Sequence, residues 1–348
     1  MATTKTTRSR QSLLLGAVGD ALGRPVEFWK TSRIEDEYGT EPPESLAYAG
    51  SPPAKITDDT QMTLFMAEGL EHVLERGVGD DRTLFREEIA DSLLDWLATQ
   101  DGRLLDDVDD GRSRLLDVEA LHDQRAPGNT CLSSCRHIYR HDRLPDMDNR
   151  INDSKGCGAV MRSAPFGIGA ASYQQAFGWA RDASVLTHCH PSGYLSAAYF
   201  AAVIFGLVTG NELEDAMGEA DRLLAEERGG DETETAVERA RRAAGDGSLS
   251  FEALVELGEG WVGEEALSMA LATALAFGDG DDEAVRRLLW QSVRHSGDSD
   301  STGAMTGNLL GAMADEASMP ETWLDDLELR EVVDDCARRL AEASSFPS

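Results

Sequence analysis

Apolar residues recur along this chain at the three-to-four-residue spacing of an amphipathic helix. Between Thr60 and Arg76, Leu64, Ala67, Leu70, Val73 and Leu74 fall on one face. Between Leu84 and Ala98, Leu84, Ile89, Leu93, Leu94 and Leu97 do the same. The same pattern predicts helices over 12–22, 172–186, 193–208, 213–226, 233–244, 264–277, 281–294, 302–315 and 328–342. Two-residue alternation of the strand type is nearly absent, and no 20–50-residue repeat suggests a solenoid. Loops are marked by PPES, SPPA, APGN and GDGDDE. The polar stretches 101–125 and 227–250 read as insertions or surface helices. The pattern predicts one all-α domain over 1–348, a multi-helix bundle around a buried centre, with 1–10 a flexible tail.

Composition adds a constraint from charge. The 348 residues include 64 acids against 32 Lys plus Arg, a formal net charge of -32, and lysine occurs only at 5, 30, 55 and 155. Such a surface repels nucleic acid and anionic membranes, so neither is an expected partner. Concentrated salt would screen the self-repulsion, since the Debye length falls to about 3 Å at 1 M. A high-salt cytoplasm is therefore one expectation, and an ordinary acidic protein the alternative. Cysteines at 131, 135, 157, 189 and 336 are too few and scattered for a disulfide framework, which suits a reducing cytoplasm. The N-terminal apolar run is broken by Asp20 and Arg24, with no A-x-A site after it. Tyr194–Val208 is shorter than the ~20 residues that span a bilayer. A cytoplasmic monomer is expected.

Two oxygen-rich clusters each open an apolar helix. In ITDDTQM, Thr57, Asp58 and Asp59 either cap the helix or supply hard ligands for a divalent cation. One aspartate suffices for a cap. In HSGDSDSTGA, Asp298, Asp300 and Ser301 repeat the pattern. An EF-hand is excluded, because the twelfth residue counted from Asp298 is Leu309. If the clusters converge, they make a dinuclear carboxylate site. GAVGDALGRPVEF embeds Asp20 and Glu27 in an apolar stretch, where acids are rare unless paired or bound to a cation. SKGCGAVMR offers successive backbone N–H groups at a helix entrance, as an anion nest or an ordinary loop. Cys131, Cys135, His137 and His141 lie on one helix, which argues against zinc. The two histidines of LTHCHP suit a helix terminus or a substrate hydrogen bond better than a metal.

Taken in order, GAVGDALGRPVEF, ITDDTQM, APGNTCL, SKGCGAVMRSAPFG, LTHCHP and HSGDSDSTGAMTGNLLGA resemble the motifs of the ADP-ribosylglycohydrolase family. They run from residue 16 to about 313. The resemblance implies an all-α orthogonal bundle with a central cleft for two divalent cations, Mg²⁺ or Mn²⁺. It implies Thr57, Asp58 and Asp59 as metal ligands from one side and Asp298, Asp300 and Ser301 from the other, with Asp300 bridging. Glu27 and Asp59 become the candidate catalytic carboxylates. Ser154, Lys155, Gly156, Cys157 and Gly158 correspond to the loop that holds the diphosphate of ADP-ribose, and His188 to a substrate-side histidine. Many relatives carry asparagine at the position of Cys157, and the usual threonine after the last aspartate is Ser301 here. The implied reaction is hydrolysis of the bond between ADP-ribose and a protein side chain, arginine first, or a small acceptor. The alternatives are a non-catalytic ADP-ribose-binding or structural member, or another metallohydrolase.

Overall fold

The computed structural model describes residues 4–107, 111–141, 143–245, 247–278 and 280–345. Among these, sixteen α-helices run in order: α1 (Lys5–Gly23), α2 (Thr31–Tyr38), α3 (Asp58–Glu75), α4 (Arg82–Gln100), α5 (Asn129–Arg140), α6 (Ala164–Gly169), α7 (Tyr173–Ser184) and α8 (Pro191–Val208). They continue as α9 (Leu213–Leu224), α10 (Asp231–Ala244), α11 (Phe251–Val255), α12 (Gly263–Leu275), α13 (Asp282–Val293), α14 (Ser299–Met313), α15 (Glu321–Asp326) and α16 (Arg330–Ala343). The described residues form no β-strand, only two isolated bridges, Ala54 to Leu327 and Gly156 to Val262. The all-α expectation holds, and each periodic stretch of the sequence forms a helix.

One apolar cluster draws on α1, α3, α4, α8, α12, α14 and α16. Helix α8 is apolar on every side because neighbours cover every side. It is the one described helix long and apolar enough to cross a membrane, and 94% of it is buried inside the protein. Helices α1 and α14 run antiparallel with their backbones in contact. Small residues permit this: a Cβ on Gly307 would overlap the Leu15 carbonyl, and one on Gly303 the Gly19 carbonyl. At the end of this pair, Gly23 of α1 lies against Ser299 and Asp300. The backbone contact thus fixes where α14 begins.

The expected flexible tail is corrected by α1, which starts at Lys5; residues 1–3 lie outside the described residues. Its basic side chains are held by groups that helix ends leave unpaired. Arg8 donates to the carbonyls of Leu207 and Ala312, in the last turns of α8 and α14. Lys5 donates to the Ala170 carbonyl and Ser344, and Arg10 pairs with Asp334.

Candidate metal centre

The start of α3 separates the cap from the acids. The Thr57 hydroxyl accepts the Asp59 N–H at 3.2 Å and caps the helix. The carboxylates of Asp58 and Asp59 are therefore not needed as caps, yet both are buried. Asp20 on α1 holds this turn from below: its carboxylate accepts the N–H of Thr57 at 2.9 Å, the N–H of Thr60 at 3.1 Å and the Thr60 hydroxyl. The segment before α5 holds it from the side. The Arg125 carbonyl accepts the Asp58 N–H, while the carbonyls of Leu121 and Asp123 accept from the Gln61 amide.

Helix α14 presents the second cluster. Asp298 stands at its N-cap without a side-chain cap bond, and Asp300 accepts the Ser301 N–H at 2.9 Å. Asp298 N–H donates to the Glu259 carbonyl at 2.8 Å. Gly297 just before it has φ +156°, and a Cβ there would run into the same carbonyl. Carboxylate oxygens of Glu27, Asp298 and Asp300 lie within 4.8 Å of one another. Asp300 is also the strongest charged neighbour of Asp20, Glu27, Asp58, Asp59 and Asp298. Glu27, Asp298 and Asp300 therefore form one carboxylate cluster, and Asp20, Asp58 and Asp59 feel the charge of Asp300 more strongly than that of any other group.

Burial, and then the charge of Asp300, raises the carboxyl of Asp20 to about 7 and that of Glu27 to about 10. The same causes push Asp58, Asp59 and Asp298 well above the carboxylate range. Other buried acids here are treated differently. Glu68 and Glu71 meet Arg114, Glu88 meets Arg76, Asp95 meets Arg112, Asp182 meets Arg82, and Glu264 meets Lys155. Among the described residues, no salt bridge reaches Asp20, Asp58, Asp59, Asp298 or Asp300, and Asp59 Oδ1 is buried without a hydrogen-bond partner.. Uncompensated buried carboxylates are costly, and an oxygen donor set suits a hard divalent cation. The residues present fit such a cation.

The SKGCG segment runs beside this centre. The Cys157 thiol donates to Asp298 at 2.7 Å and lies 3.5 Å from the Ser301 hydroxyl. Its backbone N–H is committed to the Trp261 carbonyl at 3.1 Å, and Gly156 N–H to the Ser154 hydroxyl at 3.3 Å. The nest is thus narrower than the sequence suggested. Burial, and then Asp298, holds the Cys157 thiol protonated. Lys155 turns outward to Glu232 and Glu264, beside a cavity of about 360 Å³ that also touches Thr235 and Arg239. A Cβ on Gly158 would lie 3.3 Å from His188 Nε2. His188 is buried against the loop, and burial lowers it to about 3, so its ring is neutral.

Of Cys131, Cys135, His137 and His141, the first packs on the loop, its thiol donating to the Gly158 carbonyl at 3.8 Å. Both cysteines are buried on α5 with thiols raised to about 11 and about 12 by burial, while the His137 and His141 rings lie with centroids 4.3 Å apart and planes tilted by 42°. A cavity of about 750 Å³ between Glu71, Arg76, Trp179 and Arg339 contains none of the clustered acids. Sequence reasoning missed the support from 121–125, because it comes through backbone carbonyls. It also missed a stacked aromatic pair, Phe28 on Trp261, at the rim.

A family model described as ADP-ribosylglycohydrolase matches residues 1–347. The chain is 26% identical over 318 residues to the ADP-ribosyl-[dinitrogen reductase] glycohydrolase of Rhodospirillum rubrum, covering 90% of this chain and 88% of that protein. It is 25% identical over 345 residues to the ADP-ribosylarginine hydrolase Tri1 of Serratia proteamaculans, covering 96% and 78%. A solved structure titled ADP-ribosylglycohydrolase-related protein complex has the same fold, with TM-score 0.64 and 23% identity over 98% of this chain and 99% of that one.

Proposed function

Because the chain belongs to the ADP-ribosylglycohydrolase family, we propose that its acidic centre hydrolyses the glycosidic bond joining ADP-ribose to an arginine side chain of a protein. The observation that carries this reading is the set of buried acids without basic partners, in a protein that pairs its other buried acids with Arg or Lys. Thr57, Asp58 and Asp59 would hold two cations, Mg²⁺ or Mn²⁺, from one side, with Asp298, Asp300 and Ser301 on the other. When bound, the pair supplies chelation of ribose hydroxyls and orientation of a water toward C1″.

The protein's own groups do the rest. Cleavage at C1″ passes through oxocarbenium-like character, so a carboxyl near the departing group lowers the barrier by handling a proton. Glu27, half-buried, would protonate the leaving nitrogen, and Asp59, whose Oδ1 has no hydrogen-bond partner, would take a proton from water. The loop 154–158 would receive the diphosphate through its remaining backbone N–H groups, since those of Ser154, Gly156 and Cys157 are already bonded, and Lys155, already neutralised by Glu232 and Glu264, would add little net charge there. The cations reconcile an anionic substrate with so acidic a protein. A cytoplasmic monomer acting in high salt completes the proposal.

A panel of defined mono-ADP-ribosyl linkages, assayed with and without Mg²⁺ or Mn²⁺, tests it. Metal-dependent release of ADP-ribose is expected, with Asp300→Ala lowering turnover by a factor on the order of 10² or more. Full activity in Asp300→Ala would sink the mechanism. Binding of ADP-ribose without turnover of any linkage would mark a non-catalytic member instead.

A further inference from the structure

Phe28 follows Glu27 directly and is the most exposed large apolar side chain described, at 68%; Trp261 is 37% exposed. Their rings stack with centroids 5.2 Å apart and planes 21° from parallel. Phe28 sits at φ +66°, a left-handed conformation that a bulky non-glycine residue rarely adopts. Strain of this kind persists where surrounding structure enforces it and concentrates at ligand sites. Here both rings are tied to the acidic centre. Phe28 N–H donates to the carbonyl of Gly297, one residue before Asp298, and the Trp261 carbonyl accepts the Cys157 N–H.

We infer that the Phe28–Trp261 pair is an acceptor-side platform on which the planar guanidinium of an ADP-ribosylated arginine stacks. The position follows from Glu27: the group that handles the leaving nitrogen is one residue from the outer ring, so the acceptor, not the nucleobase, passes over it. The chemistry follows from charge. A guanidinium is flat and cationic, stacks on aromatic faces, and here would do so beside Glu27, Asp298 and Asp300 in a chain of net charge -32. A serine acceptor is neither planar nor charged and would gain nothing from the stack.

This rests on the glycohydrolase reading above. The test uses the full chain with Mn²⁺, peptides carrying ADP-ribosylarginine or ADP-ribosylserine, and calorimetry of free ADP-ribose. Phe28→Gly removes the ring and relaxes the left-handed backbone; Phe28→Tyr keeps the ring. Phe28→Gly is expected to raise KM for the arginine substrate about fivefold, with kcat and ADP-ribose affinity retained. Trp261→Ala should act in the same direction, and Phe28→Tyr should behave as wild type. An unchanged KM in Phe28→Gly would overturn the platform, and a loss of ADP-ribose affinity would reassign it to the nucleobase. A wild type that cleaves only the serine linkage would overturn the platform and leave a glycohydrolase standing. A wild type that cleaves neither would overturn the glycohydrolase reading itself.

Discussion

Gly23→Ala isolates what the contact between α1 and α14 does for the site. A Cβ on Gly23 would lie 2.5 Å from the Asp300 backbone nitrogen and closer still to the Ser299 carbonyl. Ordinary non-bonded separation is about 3.5 Å, so the start of α14 must retreat by about 1 Å. Alanine at a helical position recovers about 1 kcal/mol of propensity, while overpacking costs about 1–3 kcal/mol. The two nearly cancel, and stability should fall by no more than about 2 kcal/mol. Function should not share that cancellation. A displacement near 1 Å moves Asp300, the acid around which the others are arranged, and misplacement of that size costs roughly 10²-fold in rate. Mn²⁺ titration and turnover of an ADP-ribosyl substrate, measured with urea unfolding, separate the effects. Gly218→Ala on the exposed face of α9, where a Cβ meets nothing within 4 Å, is the control; it should gain about 1 kcal/mol and leave activity alone. If Gly23→Ala keeps wild-type metal affinity and rate, the helix contact does not position the site.

Metal binding should compete with protons, because Asp20 at about 7 and Glu27 at about 10 are raised above their unfolded values. In the chelated protein, the stability they contribute is fully present below about pH 4 and is lost as pH rises through about 7 and then 10. The thermal shift produced by Mg²⁺ should therefore grow from pH 5 to pH 8, and a shift independent of pH would refute this. Asp20→Asn should weaken Mn²⁺ binding by about tenfold or more, since an amide cannot accept from Thr57, Thr60 and its hydroxyl together. Calorimetry showing wild-type affinity would remove Asp20 from its positioning role. Raising KCl from about 0.1 to about 1 M should raise the melting temperature, as the Debye length shrinks from about 10 to about 3 Å. A fall would remove the high-salt expectation.

Much of the architecture was legible because long helices carry their own signature. All eleven periodic stretches are helices, whereas α2, α6, α11 and α15, at five to eight residues, are too short to show a period. The two acidic clusters were legible because oxygen-bearing residues crowd two helix starts, and one hydroxyl, Thr57, turned out to meet the capping requirement. The start of α14 lies at Ser299, so Asp300 and Ser301 belong to its first turn rather than to the preceding loop. The supports escaped notice for a physical reason. Residues 121, 123 and 125 act through carbonyls that every residue has, and the α1–α14 contact depends on glycines whose value appears only when a partner backbone arrives.

The acidity of this chain has two physical origins. Surface acids repel one another through solvent, and any monovalent salt relieves them by screening. The acids around Asp300 are removed from solvent, where mobile ions do not reach and a proton or a ligated cation is the available relief. Protonation alone leaves a defect, since a carboxylic acid must both donate and accept, and Asp59 Oδ1 has no partner to do either with. A divalent cation held there would satisfy that oxygen and the charge together. Potassium chloride and magnesium should therefore stabilise the protein independently, the first without restoring activity to a chelated sample and the second at concentrations far too low to screen the surface.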